Sequence, residues 1–162
     1  MKIALTGHRE KRLKGQESKV FLWMQDALNF LFTGQEEKEV LCGMAKGADV
    51  MFGQAALSLA SFYSLFDSNK IKLHLCLPCK HYGEVNADRA YWDLMDNASR
   101  VSYMQEEWSK GCDDIRDRFM VDNCDVLLAV WDGIEAGGVW STIQYAKSQG
   151  KPIIYIDRSI FK

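Results

Sequence analysis

The feature that most constrains this chain is its alternation of short apolar runs with longer segments of helical spacing. Two of the runs, DVLLAVW (125–131) and KPIIYI (151–156), are apolar throughout rather than at every second position. A strand with one wet face alternates, whereas a strand covered on both faces does not. The pattern predicts strands over 2–6, 39–42, 71–77, a weak one over 100–104, and two more over 125–131 and 152–156. Helices are predicted over 16–32, 48–65, 84–97, 113–123 and 139–149. The first helix places Val20, Trp23, Met24, Ala27, Leu28 and Leu31 on one face, and the fourth turns Ile115, Phe119 and Met120 inward. Strands that alternate with helices need crossover connections. The expected fold is therefore α/β: a Rossmann-like, doubly wound, mostly parallel sheet of about six strands with helices on both faces.

A chain of 162 residues suits one domain, here spanning 1–162, with enough interior to need no covalent staples. The net charge of −2 argues against a dedicated nucleic-acid binder, which usually carries a basic excess. The five cysteines, an odd count, are scattered, and no secretory pattern opens the sequence, so reduced thiols and a cytoplasmic location are expected. Cys76-Leu77-Pro78-Cys79 matches a redox spacing but is read as a strand end, because redox pairs normally open a helix. No further ligands at zinc spacing accompany it, and neither a metal nor a cofactor is expected. The uncharged stretch 50–66 contains Gln54 and several serines and lacks a basic flank. It is read as a core helix rather than a membrane span, with no membrane partner.

In an open α/β sheet, ligands bind beyond the carboxyl ends of the strands where strand order reverses. Three predicted strand ends carry unusual residues. After the first stand Thr6, Gly7, His8 and Arg9, with a hydroxyl, a permissive backbone and a guanidinium fork suited to phosphate. His8 reads equally well as packed or solvent-facing. After the second, Gly43, Lys46, Gly47 and Asp49 surround a helix start whose free N–H groups would favour an anion, although Asp49 could simply complement the helix dipole. After the fifth, Asp132 precedes Gly137 and Gly138, then Ser141 and Thr142 in the first turn of a helix beginning near Val139. Paired glycines there suggest that a phosphate or sugar lies close against the backbone, with Asp132 bonding a ribose hydroxyl. Of Arg116 and Arg118, one is expected to reach the pocket and the other to be solvated.

Three stretches, TGHR, CGMAKGADVMFGQAAL and IRDRFMVDNCDVLLAVWDGIEAGGVWSTIQYAKSQGKPI, together resemble the YpsA-like branch of the SLOG superfamily, which also holds the Smf/DprA and LOG-type proteins. The resemblance runs in order over most of the chain, loosely over 65–110. It implies a Rossmann-like fold that binds a nucleotide or an ADP-ribose-like ligand. Carried over, Gly43, Gly47, Gly137, Gly138, Ser141 and Thr142 would face phosphate, and Arg9, Asp49, Arg118 and Asp132 would complete the pocket. LOG hydrolases carry a glutamate that acts at the glycosidic bond; here Gln144 stands roughly in its place, and an amide is no general base.

The leading expectation is a sensor or sequestering protein for a nucleotide-derived ligand. The alternative is an N-glycosidase or deoxyribosyltransferase-like enzyme, with Asp132 or Glu135 as the catalytic carboxylate. DNA handling of the Smf type is a third reading, which the acidic balance disfavours. A homo-oligomer is expected, and Trp92, Tyr103 and Trp108 are candidates for either a partner surface or the core.

Overall fold

The computed structural model describes residues 1–66 and 70–162, the side chains of 64–66 excepted. Its strands are β1 (Lys2–Gly7), β2 (Lys38–Cys42), β3 (Ile71–Leu77), β4 (Arg100–Tyr103), β5 (Val126–Val130) and β6 (Ile153–Tyr155). Its helices are α1 (Glu10–Leu13), α2 (Glu17–Phe32), α3 (Ala48–Phe66), α4 (Arg89–Asn97), α5 (Cys112–Asn123) and α6 (Gly137–Ser148). The strands form one six-stranded sheet in the order β4-β3-β2-β1-β5-β6, and every pairing is parallel. The chain builds outward from β1 to β4, then returns to the other side of β1 for β5 and β6. The order therefore reverses between β1 and β5, the fold's topological switch point.

The two sheet faces follow from the strand period of two. On one face Ile3, Leu5, Val40, Leu73 and Leu75 pack against Val20, Met24 and Leu28 of α2 and Phe52 and Ala55 of α3. On the other, Ala4, Leu41, Cys76 and Leu127 meet Met120 and Val121 of α5 and Ala146 of α6. This arrangement is the expected doubly wound fold. Both faces of β5 are covered, and all five of its residues are buried, which accounts for its unbroken apolar run. The uncharged stretch lies in α3, and no helix among the described residues is long and apolar enough to cross a membrane.

The structure corrects several local expectations. The helix predicted over 84–97 is two elements, a 3-10 turn at Glu84–Asn86 and then α4. Asp88 separates them, because its extended backbone and its side chain, which accepts from Tyr91 N–H at 3.1 Å, cap a new helix start. A one-turn helix, α1, lies between the first predicted strand and the first long helix, where no element was predicted. Ile115 is exposed rather than inward, since the buried stripe of α5 runs through Cys112, Arg116 and Met120. Trp92, Tyr103 and Trp108 are exposed and do not belong to the core. Helix α6 begins at Gly137, two residues before the expected start.

Candidate ligand cleft

A cleft of about 700 Å³ opens at the switch point, beyond the carboxyl ends of β1 and β5. Its volume lies within the range typical of small-molecule sites. Thr6 to Arg9 form one part of its wall, and Lys11 and Arg12 of α1 extend it. Asp49 of α3 and Asp113, Arg116 and Asp117 of α5 form a second part, and Gly137 to Val139 at the start of α6 a third.

The two glycine-rich helix starts differ in what occupies them. At α3 the chain fills its own cradle. A Cβ on Gly43 would lie 2.6 Å from Arg116 Nη1 and 2.7 Å from Asp49 Oδ2. A Cβ on Gly47 would lie 2.5 Å from the Glu10 backbone nitrogen, and its φ of +117° suits only glycine. Arg9 and Gly47 form an antiparallel bridge. The Ala48 N–H donates to His8 O at 3.0 Å, and the Val50 N–H donates to Ala45 O at 3.3 Å. Two of the N–H groups at this helix start are therefore engaged by the chain's own carbonyls. Gly7 has a packing role as well as a place on the cleft wall, since a Cβ there would come within 2.4 Å of Ala48 Cβ. Lys46 and Gly47 lie off the main cleft, on a second one of about 540 Å³ beside α3 and α4, and Arg9 lines both.

At α6 the start is open. Nothing lies within 4 Å of where a Cβ would stand on Gly137 or Gly138. Ala136, at the cap position, makes no side-chain cap bond, so nothing from the cap residue's side chain meets the first-turn N–H groups. Gly137 has φ +85° and so serves the turn as well as the opening. Of the two hydroxyls expected here, Thr142 is buried and already engaged. It donates to Gly138 O at 2.9 Å, and its oxygen lies 3.3 Å from Asp117 Oδ2. Ser141 is exposed and does not line the cleft.

The arginine that reaches the cleft is Arg116, not Arg118. Arg116 is 3% exposed, donates from Nε to Asp117 Oδ1 at 2.6 Å, and donates from Nη1 to the Gly43 carbonyl. Its Nη2 lies 3.6 Å from Asp113 Oδ1. Burial opposes its charge, but the carboxylates of Asp117 and Asp49 outweigh that and hold its pKa above the ordinary value. Burial also raises Asp117 and pushes Asp49 up to about 6, against the pull of Arg116. Arg118 points away, paired with Asp114 at 3.0 Å and stacked over the Tyr145 ring at 4.9 Å. Arg116 falls on the helical stripe of Cys112 and Met120, whereas Arg118 lies roughly 200° further round. That periodicity was the signal in the sequence that separates the two.

Neither carboxylate proposed for catalysis lines the cleft. Asp132 Oδ1 accepts from the Ile134 N–H at 3.0 Å, and Oδ2 pairs with Arg12 at 3.2 Å. Oδ1 therefore holds the turn after β5 and Oδ2 ties that turn to α1, and the residue does not line the cleft. Glu135 is exposed and lies off the lining. His8 is packed. Burial lowers its pKa, its neutral Nε2 accepts from the Asp132 N–H at 3.2 Å, and its ring meets Phe161 edge-on. Sequence reasoning did not single out Lys11, Arg12, Asp113 or Asp117, whose positions depend on how α1 and α5 converge on β1.

All five cysteines are free and buried. Cys76 lies within β3, and burial pushes its thiol up to about 12, the opposite of redox activation. Among the described residues no group of three His, Cys, Asp or Glu side chains is arranged to hold a metal ion.

No protein-family profile matches this chain. No curated protein matches it either. Among solved structures, the X-ray structure of TM1055, a structural-genomics target, is similar over 94% of this chain and 71% of its own, with a TM-score of 0.56 and 16% identity. That likeness is one of fold, and it places the chain among Rossmann-like α/β proteins.

Proposed function

We propose that the switch-point cleft binds a nucleotide or nucleotide-derived anion, with a phosphate against the start of α6. The observation that carries this is the open backbone at Gly137 and Gly138 on the wall of a cleft that also presents Arg9, Lys11 and Arg12. Free N–H groups at a positive helix end and nearby guanidinium forks are the chemistry that phosphate requires. The sequence resemblance to the YpsA-like branch of the SLOG superfamily supports the same reading. With Gln144 where the hydrolases carry glutamate, and with Asp132 and Glu135 off the cleft, the protein acts as a sensor or sequestering protein.

The test is incubation with nucleotides, NAD, ADP-ribose and cyclic ADP-ribose variants, followed by native mass spectrometry and chromatography. An intact ligand is retained by the wild type and lost in Gly138→Asp, whose side chain enters open space and repels an anion. Retention in that variant would refute the placement. The enzymatic reading rests on a different observation, the raised carboxyls Asp49 and Asp117 on the cleft wall. Release of a free base, lost in Asp49→Asn or Asp117→Asn, would establish that reading instead.

A further inference from the structure

The second cleft, of about 540 Å³, adjoins the main one and has a different lining. Met44, Met51, Tyr82 and Tyr91 give it apolar and aromatic surface. Gln54 of α3 and Asn86, just ahead of α4, line it with carboxamides that make no hydrogen bond among the described residues. Apolar walls with a few free polar groups are the pattern of a small-molecule site. A nucleobase suits this set, because its faces stack on aromatic rings and its edge both donates and accepts, as a carboxamide does. Glu10, Glu17 and Asp88 also line this cleft, which disfavours an anionic group there and suits the hydroxyls of a sugar.

The two clefts are joined at Arg9, which lines both. Its backbone is pinned by the bridge to Gly47. Its guanidinium has no carboxylate partner among the described residues, and its one side-chain hydrogen bond, from Nη1 to Tyr82 Oη, is long at 3.4 Å. Tyr82 belongs to the junction too, since Arg116 on the main cleft lies 5.9 Å from the centre of its ring. We infer that the second cleft is a subsite for the second nucleoside of a ligand built as two nucleosides joined through a pyrophosphate, whose linkage lies on Arg9. This rests on the nucleotide reading of the main cleft and deepens it. A guanidinium fork without a carboxylate is matched to the phosphate oxygens of such a linkage.

Isothermal titration with the four nucleoside 5′-monophosphates and the four symmetrical dinucleoside 5′,5′-diphosphates tests this. Wild type binds its best dinucleoside diphosphate about a hundredfold more tightly than the matching monophosphate, the gain expected when two subsites are engaged by one molecule. Ala90→Trp puts an indole into the second cleft and removes that gain, while the monophosphate binds as in wild type. Gln54→Ala combined with Asn86→Ala changes two exposed side chains, leaves folding intact and cuts the gain about tenfold. If wild type binds the monophosphates with no gain for the diphosphates, or if either variant keeps the gain in full, this inference is overturned while the nucleotide reading survives. If wild type binds neither set, both are overturned.

Discussion

Two helix starts in this molecule look alike in the sequence, and the structure separates them. Both follow a strand of the same sheet and both carry two glycines. At α3 the glycines make room for the protein itself: Arg116 and Asp49 against Gly43, and the Arg9–Glu10 backbone against Gly47. At α6 the space beyond Gly137 and Gly138 is open and forms part of the cleft wall. A glycine-rich helix start is thus not one kind of object. One serves internal packing across the switch point, and the other leaves backbone accessible to a ligand.

The largest effect that would break this contrast lies at Arg116. Arg116→Met leaves Asp117 buried without its cation and removes the donor to Gly43 O, so we expect a loss of about 3–5 kcal/mol in urea unfolding. Arg118→Ala, two residues on and half-exposed, should cost less than about 1 kcal/mol. Equal costs would mean that the α3 cradle is not held from α5.

The glycines themselves come next. Gly47→Ala forces a side chain into backbone at a left-handed φ and is expected to cost about 3 kcal/mol. Gly138→Ala enters open space in a helix and should change stability by less than about 1 kcal/mol, with stabilisation the expected direction. Similar denaturation midpoints for the two variants would erase the distinction between a filled start and an open one.

The smallest effect sharpens the comparison through pH. Asp49 keeps its proton in the folded protein up to about pH 6, whereas its ordinary value is 3.8. Folding therefore takes up protons between those values, and the residue's contribution to stability falls as pH rises across that window, then levels off. Asp49→Asn retains an acceptor for the Ala45 N–H, 3.2 Å away, and removes the titration. Relative to wild type it should gain on the order of 2 kcal/mol between pH 4.5 and pH 7. Parallel stability curves would show that Arg116 fully compensates the buried charge.

The sequence by itself determined the sheet and its layers. Period and run length are local properties, and burial on both sides leaves its mark directly on composition, as in β5 and the buried stripe of α2. It also pointed to the carboxyl end of the sheet, where the cleft opens, because strand ends followed by glycines are local too. At the boundary misread before α4 a single side chain intervened, that of Asp88. Which glycines are filled and which arginine is buried were settled by tertiary packing alone. Arg116 meets Gly43 across 73 residues of sequence, and His8 meets the Asp132 backbone across 124. Those contacts arise because β1 lies between β2 and β5, an adjacency set by the crossovers and invisible in any local window. The same adjacency brings the charged residues of α5 and the basic residues of the β1–α1 segment onto the wall of one cleft.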